Sequence, residues 1–186
     1  MGPILIVCAT ALEARYVSPD YSVLVCGIGK VDAAVSVTRY LAQHPMITDV
    51  YNIGSAGALR DERSGIHFPS TVLNHDLSVD ILREMGYPVT GQLQIDGGDG
   101  SILATGDSFI SDAAVRDQLA ERADLVDMEG FAIVAACVAA GVRCRLIKHV
   151  SDSADAAATD WPTLVDVSAH ALADWLLSAH PDHQLG

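Results

Sequence analysis

The chain has little positive charge. Eleven Lys and Arg residues stand against 24 Asp and Glu, a net charge of −13 over 186 residues. Nucleic-acid backbones are held by clustered cations, so that class of partner is excluded and a small-molecule ligand is the expectation. Long hydrophobic runs are also missing. Half of the residues are apolar and the mean hydropathy is +0.29, yet no run approaches the ~18 residues that a membrane span needs. No membrane partner is expected. Residues 4–9 form a short apolar run without a basic segment before it, which reads as a first strand and not as a signal peptide. Cysteine is scarce as well. Cys8, Cys26, Cys137 and Cys144 lie in apolar stretches without CxxC spacing, which argues against a zinc site and for small core residues in a reducing cytoplasm.

Several motifs fail by a residue or two. Gly27-x-Gly29 lacks the third glycine of a dinucleotide fingerprint, and Lys30 is followed by Val31 where a phosphate-binding loop needs Ser or Thr. Gly54-Ser55-Ala56-Gly57 is one spacer short of a nucleophile elbow. It reads instead as a small-residue turn that lets a ligand approach the backbone. His67, His75 and His149 are scattered, which leaves little support for a histidine-based triad. No cofactor and no metal is expected.

What is present is a regular alternation of apolar strands and helices. The length suits one domain over residues 1–186 with a real core, and runs rich in Ala and Val, such as 132–140, suit a helix-packed, mostly parallel sheet. Strands are predicted at 3–9, 21–26 and 50–53, a helix at 31–43, and a short helical turn at 10–15. The helix carries a broad apolar face of Val31, Ala34, Val35, Val37, Thr38 and Leu41. The middle, 60–100, is hard to read beyond a strand at 71–74, a short helix at 79–85 and a flexible turn at 97–100. A strand at 101–105 follows, then a helix capped by Ser111 or Asp112 and ending near Arg122. The most informative stretch is 125–155: a strand to Val126, a helix 131–140 stopped at Gly141, and a strand 142–150. A small-residue loop, 154–159, leads to a closing helix at 161–178, with Leu164, Val165, Val167, Ser168, Leu172, Trp175 and Leu176 on its apolar side.

Acidic residues recur just after the predicted strands: Glu13, Glu129 and Asp152. Each has a purely structural reading, since Asp127 can cap the following helix, Glu129 can complement its dipole and Asp152 can open a loop. In an open α/β sheet, however, ligands bind at the carboxyl ends of strands. If these strands are neighbours, the carboxylates converge with Ser55, Phe109-Ile110 and Met128 on one crevice. An aromatic ring stacks on a flat heterocycle, and a carboxylate grips two vicinal hydroxyls. An Asp whose charged form is disfavoured by burial can act as an acid while a second carboxylate activates water. That is equipment for cleaving a bond between a base and a sugar.

With these pieces assembled, the chain resembles the purine nucleoside phosphorylase/uridine phosphorylase superfamily, and within it the methylthioadenosine/S-adenosylhomocysteine nucleosidase branch. The resemblance rests on Ala9-x-x-x-Glu13, Gly27-Ile28-Gly29-Lys30-Val31-x-Ala33-Ala34, Asn52-x-Gly54-Ser55-Ala56-Gly57-x-Leu59, Gly106-Asp107-x-Phe109-Ile110, Met128-Glu129 and Ser151-Asp152-x-Ala154-Asp155. These pieces occur in the family's order from end to end. The resemblance implies a twisted, mixed and largely parallel sheet wrapped by helices, assembled as a homodimer or larger. It also implies roles. Glu13 would orient and deprotonate water, and Asp152 would protonate N7 of the leaving purine. Glu129 would hold the ribose hydroxyls, with Met128 against the sugar. Phe109 would stack on the base, the Ile110 backbone would read its edge, and Ser55 and Ala56 would line the floor. Trp161 would stand near the 5′ substituent as a lid residue, or else start the closing helix as a core residue. The family's phosphorylases carry arginines where this chain has Glu13 and Asn52, so water is the expected nucleophile. The chain departs from the branch at Lys148, which replaces an Arg, at Thr10, which replaces a larger apolar residue, and in its short middle region. A phosphorolytic enzyme, a futalosine-type hydrolase and a non-catalytic nucleoside-binding protein are the alternatives.

Overall fold

The computed structural model describes residues 3–155 and 161–180; of Trp161 and Pro162 it describes only the backbone. Its centre is one long strand, β3 (Asp49–Ala58), flanked by β1 (Ile4–Cys8) and by β9 (Arg143–Asp152), both parallel to it. The remaining strands are β2 (Ser22–Val25), β4 (Ile66–His67), β5 (Thr71–Asn74), β6 (Gln92–Gln94), β7 (Ile102–Thr105) and β8 (Leu125–Asp127). They form one nine-stranded mixed sheet in the order β2-β1-β3-β8-β7-β5-β6, with β9 on the other edge of β3 and β4 beyond it. The helices are α1 (Lys30–Gln43), α2 (Val79–Glu84), α3 (Ala113–Ala120), α4 (Gly130–Ala140) and α5 (Trp161–Ala179).

β1 is buried at all five positions because both of its faces are covered. Leu5 and Val7 pack with Val50 against α1 and α4 on one face. Ile4, Ile6 and Cys8 pack with Tyr51, Ile53 and the Leu172 and Leu176 side chains of α5 on the other. α4 is apolar nearly all round because it lies between the sheet and α1, and Gly141 ends it in the left-handed region at φ 69°.

Three expectations need correction. Residues 54–57 are not a turn: β3 runs straight through them to Ala58. On α1 the buried stripe is Ala33, Val37 and Leu41, while Val31 and Val35 are 71% and 59% exposed. The two stripes are offset by two residues, about 200° around the helix, so the valines face away from the core. Val167 on α5 is likewise exposed, and Ala169 and Ala173 take the buried positions. The turn at 10–15 is hydrogen-bonded but does not become a helix. Asp112, and not Ser111, caps α3, accepting from the Ala114 and Val115 amides. Among the described residues, no helix is long and apolar enough to cross a membrane.

Candidate active site

β3 is longer than β1 and β8, which share one of its edges, and this creates the site. On one edge it pairs with β9 from Asp49 to Gly57. On the other edge β1 pairs only with residues 49–52, and β8, running the opposite way, only with Gly57 and Ala58. The carboxyl ends of β1 and β8 therefore meet head-on, leaving residues 53–56 of β3 without a strand on that edge. The Ser55 backbone N–H in this gap donates instead to Glu13 Oε1 at 3.0 Å. On the opposite edge the register slips between Ala56 and Gly57, so that Gly57 pairs with Asp152 and Ser151 is the extra residue. Such a bulge re-aims the side chain beside it, and Asp152 borders the cavity.

The cavity over this gap has a volume of about 230 Å3 and is lined by Glu13, Ser55, Ala56, Phe109, Ile110, Met128, Glu129 and Asp152, together with Thr10, Ile28 and Asp127. All the expected site residues but one thus share one crevice. The exception is Trp161, whose side chain lies outside the described residues, as do residues 156–160 of the loop before it. The three histidines are elsewhere: His149 meets the buried Ser168 hydroxyl at 2.9 Å, His67 faces Asp99, and none lines the cavity. The Cys8 and Cys26 thiols are pushed up to about 12 by burial, which removes them as nucleophiles near neutral pH.

Glu13 is 3% exposed and sits in a full cradle. Its Oε2 accepts from the Ala9 and Thr10 amides, each at 3.1 Å, and its Oε1 from the Ser55 amide and the Ser55 hydroxyl at 3.2 Å. The close approach explains Gly54, where a Cβ would stand 3.1 Å from Glu13 Oε1 and 3.4 Å from Lys148 Nζ. Gly57 serves the other side: a Cβ there would come within 2.9 Å of the Ala154 Cβ and 3.1 Å of Asp152 Oδ1. Asp152 accepts from the Ala154 amide at 2.8 Å and from the Ser151 hydroxyl at 2.6 Å. Ala154 reaches its place with φ 50°, the left-handed region that a residue with a side chain adopts at a cost.

Glu129 is the N-cap residue of α4 but makes no capping bond with its side chain. Its Oε1 reaches across 100 residues to accept from the Gly29 amide at 2.8 Å. Burial, with the Asp127 charge beside it, raises its carboxyl to about 7; the Gly29 amide and Lys148 pull against that rise. Asp127 does the work expected of a cap, accepting from Gly130 N–H at 2.9 Å, while Thr105 donates to it at 2.6 Å. Lys148 completes this cluster with its Nζ 2.9 Å from Asp127 Oδ2, and the residue is 2% exposed. Burial pulls the Lys148 ammonium down, but Asp127, Glu129 and Glu13 outweigh that, and it ends above the ordinary lysine value. The importance of Asp127 and Lys148 as a buried pair was not readable in the sequence. The signals available were Asp127 as a cap candidate and Lys148 within an otherwise apolar part of the run 142–150.

The profile of the Phosphorylase superfamily matches residues 99–174. A 5′-methylthioadenosine/S-adenosylhomocysteine nucleosidase of Halalkalibacterium halodurans is 32% identical over 160 residues, covering 71% of this chain and 67% of the relative. The chain belongs to the phosphorylase superfamily, in its methylthioadenosine/S-adenosylhomocysteine nucleosidase branch. An aminodeoxyfutalosine nucleosidase of Campylobacter jejuni is 27% identical over 193 residues, covering 88% of this chain and 82% of that one. Among solved structures, a Helicobacter pylori nucleosidase variant holding 5′-methylthioadenosine superposes with a TM-score of 0.84 at 20% identity, over 98% of this chain and 99% of the other. The nucleosidase-branch fold is thus the one expected: a mixed sheet between helices, with the crevice at the ends of β1, β3, β8 and β9.

Proposed function

We propose that this chain is an N-glycosyl hydrolase that cleaves purine nucleosides bearing a 5′ substituent, with 5′-methylthioadenosine and S-adenosylhomocysteine as substrates and adenine as the released base. The observation that carries the choice of water over phosphate is the charge of the crevice. Four carboxylates, those of Glu13, Asp127, Glu129 and Asp152, line it, and no Lys or Arg stands among the described lining residues. A phosphorolytic site needs cations for its oxyanion. The Lys148 ammonium is buried behind Gly54 and paired to Asp127.

In this reading a water approaches C1′ from the Glu13 side. The hydroxyl of Ser55, a longer contact than the backbone amides, yields its place on Glu13 to that water. Glu13 takes the proton, the water oxygen bonds to C1′, and the bond to N9 breaks. Asp152 delivers a proton to N7, so the base leaves neutral. Glu129 accepts from the ribose hydroxyls, Met128 packs on the sugar, Phe109 stacks on the base, and the Ile110 backbone meets its edge. Ser55 and Ala56 form the floor. A second reading, hydrolysis of an aminodeoxyfutalosine-type nucleoside, is favoured by the Campylobacter relative, which matches the larger share of the chain. The exposed apolar side chains of Ile28, in the crevice wall, and of Val31 and Val35 on α1 support a homodimer, and four unpaired thiols support a cytoplasmic location.

Base release from methylthioadenosine, adenosylhomocysteine, adenosine, inosine and a futalosine, each with and without phosphate, tests this reading. Phosphate-independent release of adenine is expected. A requirement for phosphate overturns the hydrolytic assignment, and no release from any nucleoside makes the chain a binding protein. Asp152→Asn should cut turnover by roughly 10²-fold or more.

A further inference from the structure

Two loops close the crevice on the side of the base, and neither is continuous with the other in sequence. Residues 27–30 lead from β2 into α1 and place Ile28 in the cavity wall and the Gly29 amide on Glu129. Residues 106–109 follow β7 and place Ser108 and Phe109 in the wall. Between them stands Lys30, whose side chain is only 17% exposed. Its ammonium donates to Asn74 Oδ1 at 2.9 Å, contacts the Asp76 carboxylate and lies 3.7 Å from Asp107 Oδ2. The backbone repeats the same connections. Lys30 N–H donates to Asp107 Oδ1 at 2.8 Å, and Asp107 N–H donates to Asp76 Oδ2 at 2.9 Å. The result is a closed ring, Lys30 to Asp76 to Asp107 and back to Lys30, that clasps the two loops.

We propose that Lys30 is a positioning residue that clasps these loops, fixing the Glu129 grip on the sugar and the Phe109 platform for the base as one unit. The proposal rests on the reading of the crevice as a purine-nucleoside site. Its physical basis is charge. Asp76 and Asp107 are brought together by the amide of one and the carboxylate of the other, and both sit against a single ammonium. Removing that ammonium leaves two neighbouring carboxylates of like charge without their shared cation, which separates them. Asp107 then loses its hold on the Lys30 amide, one residue from the Gly29 amide that Glu129 uses and two residues from Phe109. Phe109 is 51% exposed, so core packing alone does not fix it. The plainer alternative is that Asp107 merely complements the amino end of α1, in which case only stability depends on the clasp.

Lys30→Met, which keeps the apolar stem, and Lys30→Arg, which keeps the charge, separate these possibilities. In the ligand-free protein, hydrogen exchange of the Gly29, Lys30 and Asp107 amides should accelerate about tenfold or more in Lys30→Met, with β3 and β9 as protected as before. The Kd for adenine and the Kd for adenosine should both rise by about tenfold or more, the scale of a charge-assisted contact, and Lys30→Arg should restore much of both. Unchanged exchange at these three amides overturns the proposal. So does a uniform rise across the sheet, or unaltered binding despite accelerated exchange. If the unmodified protein binds neither adenine nor adenosine, the purine-nucleoside reading fails, and with it the role given to the clasp. The exchange data then still report whether Lys30 holds the loops together.

Discussion

Glu13 and Glu129 are residues of the same type, almost equally buried at 3% and 8% exposure, and both border the same cavity. Their surroundings differ in donors. Glu13 receives three backbone amides and the Ser55 and Thr10 hydroxyls, spread over both oxygens. Among the described residues, Glu129 receives one amide and stands next to another carboxylate. Burial therefore does not set what a buried acid does; its hydrogen-bond partners do. A filled cradle fixes a carboxylate in place so that one exchangeable contact can be given to water. A sparsely filled one leaves acceptor capacity for the hydroxyls of a ligand, at the cost of a carboxyl that titrates near neutrality.

The largest effect should come from the filled cradle. Glu13→Gln keeps the shape but removes the base, and turnover should fall roughly 10²- to 10⁴-fold. The Kd of a non-hydrolysable nucleoside analogue should stay near its original value, as single-turnover rates and calorimetry would show. A loss of affinity that matched the loss of rate would mean that Glu13 grips substrate just as Glu129 does, and the contrast would disappear.

Lys148→Met removes a buried ammonium, paired to Asp127, whose charge acts on both glutamates. Asp127 then loses its buried cationic partner, and unfolding stability should drop by about 3–5 kcal/mol, the usual result of breaking one side of a buried pair. Denaturant melts would register it. A change below about 1 kcal/mol would show that the Thr105 and Gly130 donors alone satisfy Asp127.

Glu129→Gln tests the sparse side through pH. The folded-state carboxyl titrates at about 7, above the 4.5 of an unperturbed glutamate, so the folded protein binds the proton more tightly than the unfolded one between those values. Stability from this group is therefore lost as pH rises from 4.5 to 7, and Gln removes the loss. The variant should gain on the parent by on the order of 3 kcal/mol between pH 4 and pH 8, measured as the change in their difference. For the parent enzyme, kcat/KM should climb about tenfold per pH unit up to about 7 as the gripping carboxylate forms. That limb should be absent in the variant. A parent profile flat from pH 5 to 8 would remove the distinction drawn here. Ser55→Ala should be the mildest change, shifting turnover by a few-fold, about one neutral hydrogen bond, with nucleoside affinity intact.

The sequence made some of this legible and hid the rest for identifiable reasons. β1 read correctly because burial on both faces writes an uninterrupted apolar run, and α4 read correctly because Gly141 stops it. Glu13, Phe109, Glu129 and Asp152 stood out because each follows such a run closely. The second half of β3 was misread because its small residues suggest turning, whereas Gly54 and Gly57 are small so that Glu13, Lys148, Asp152 and Ala154 can approach. Val31 and Val35 of α1 were misassigned because apolar periodicity alone does not say which of two stripes meets the sheet. β4 and β6, two and three residues long, are too short to show any period. Asp76 and Asn74 carry no motif at all, and their link to Lys30 exists only once β5 and β7 lie side by side.

The head-on meeting of β1 and β8 along β3 also has a kinetic meaning. Its participants come from positions 4–8, 49–58, 125–127 and 143–152, so no local segment of the chain contains a partial version of the pocket. Closing loops of that length must precede any contact within it, and contacts so distant in sequence form slowly. On dilution from denaturant, helix signal should return early and nucleoside binding last, in the slowest phase that joins β9 to β3. Until that moment the chain is folded in many places and has nowhere to hold a substrate.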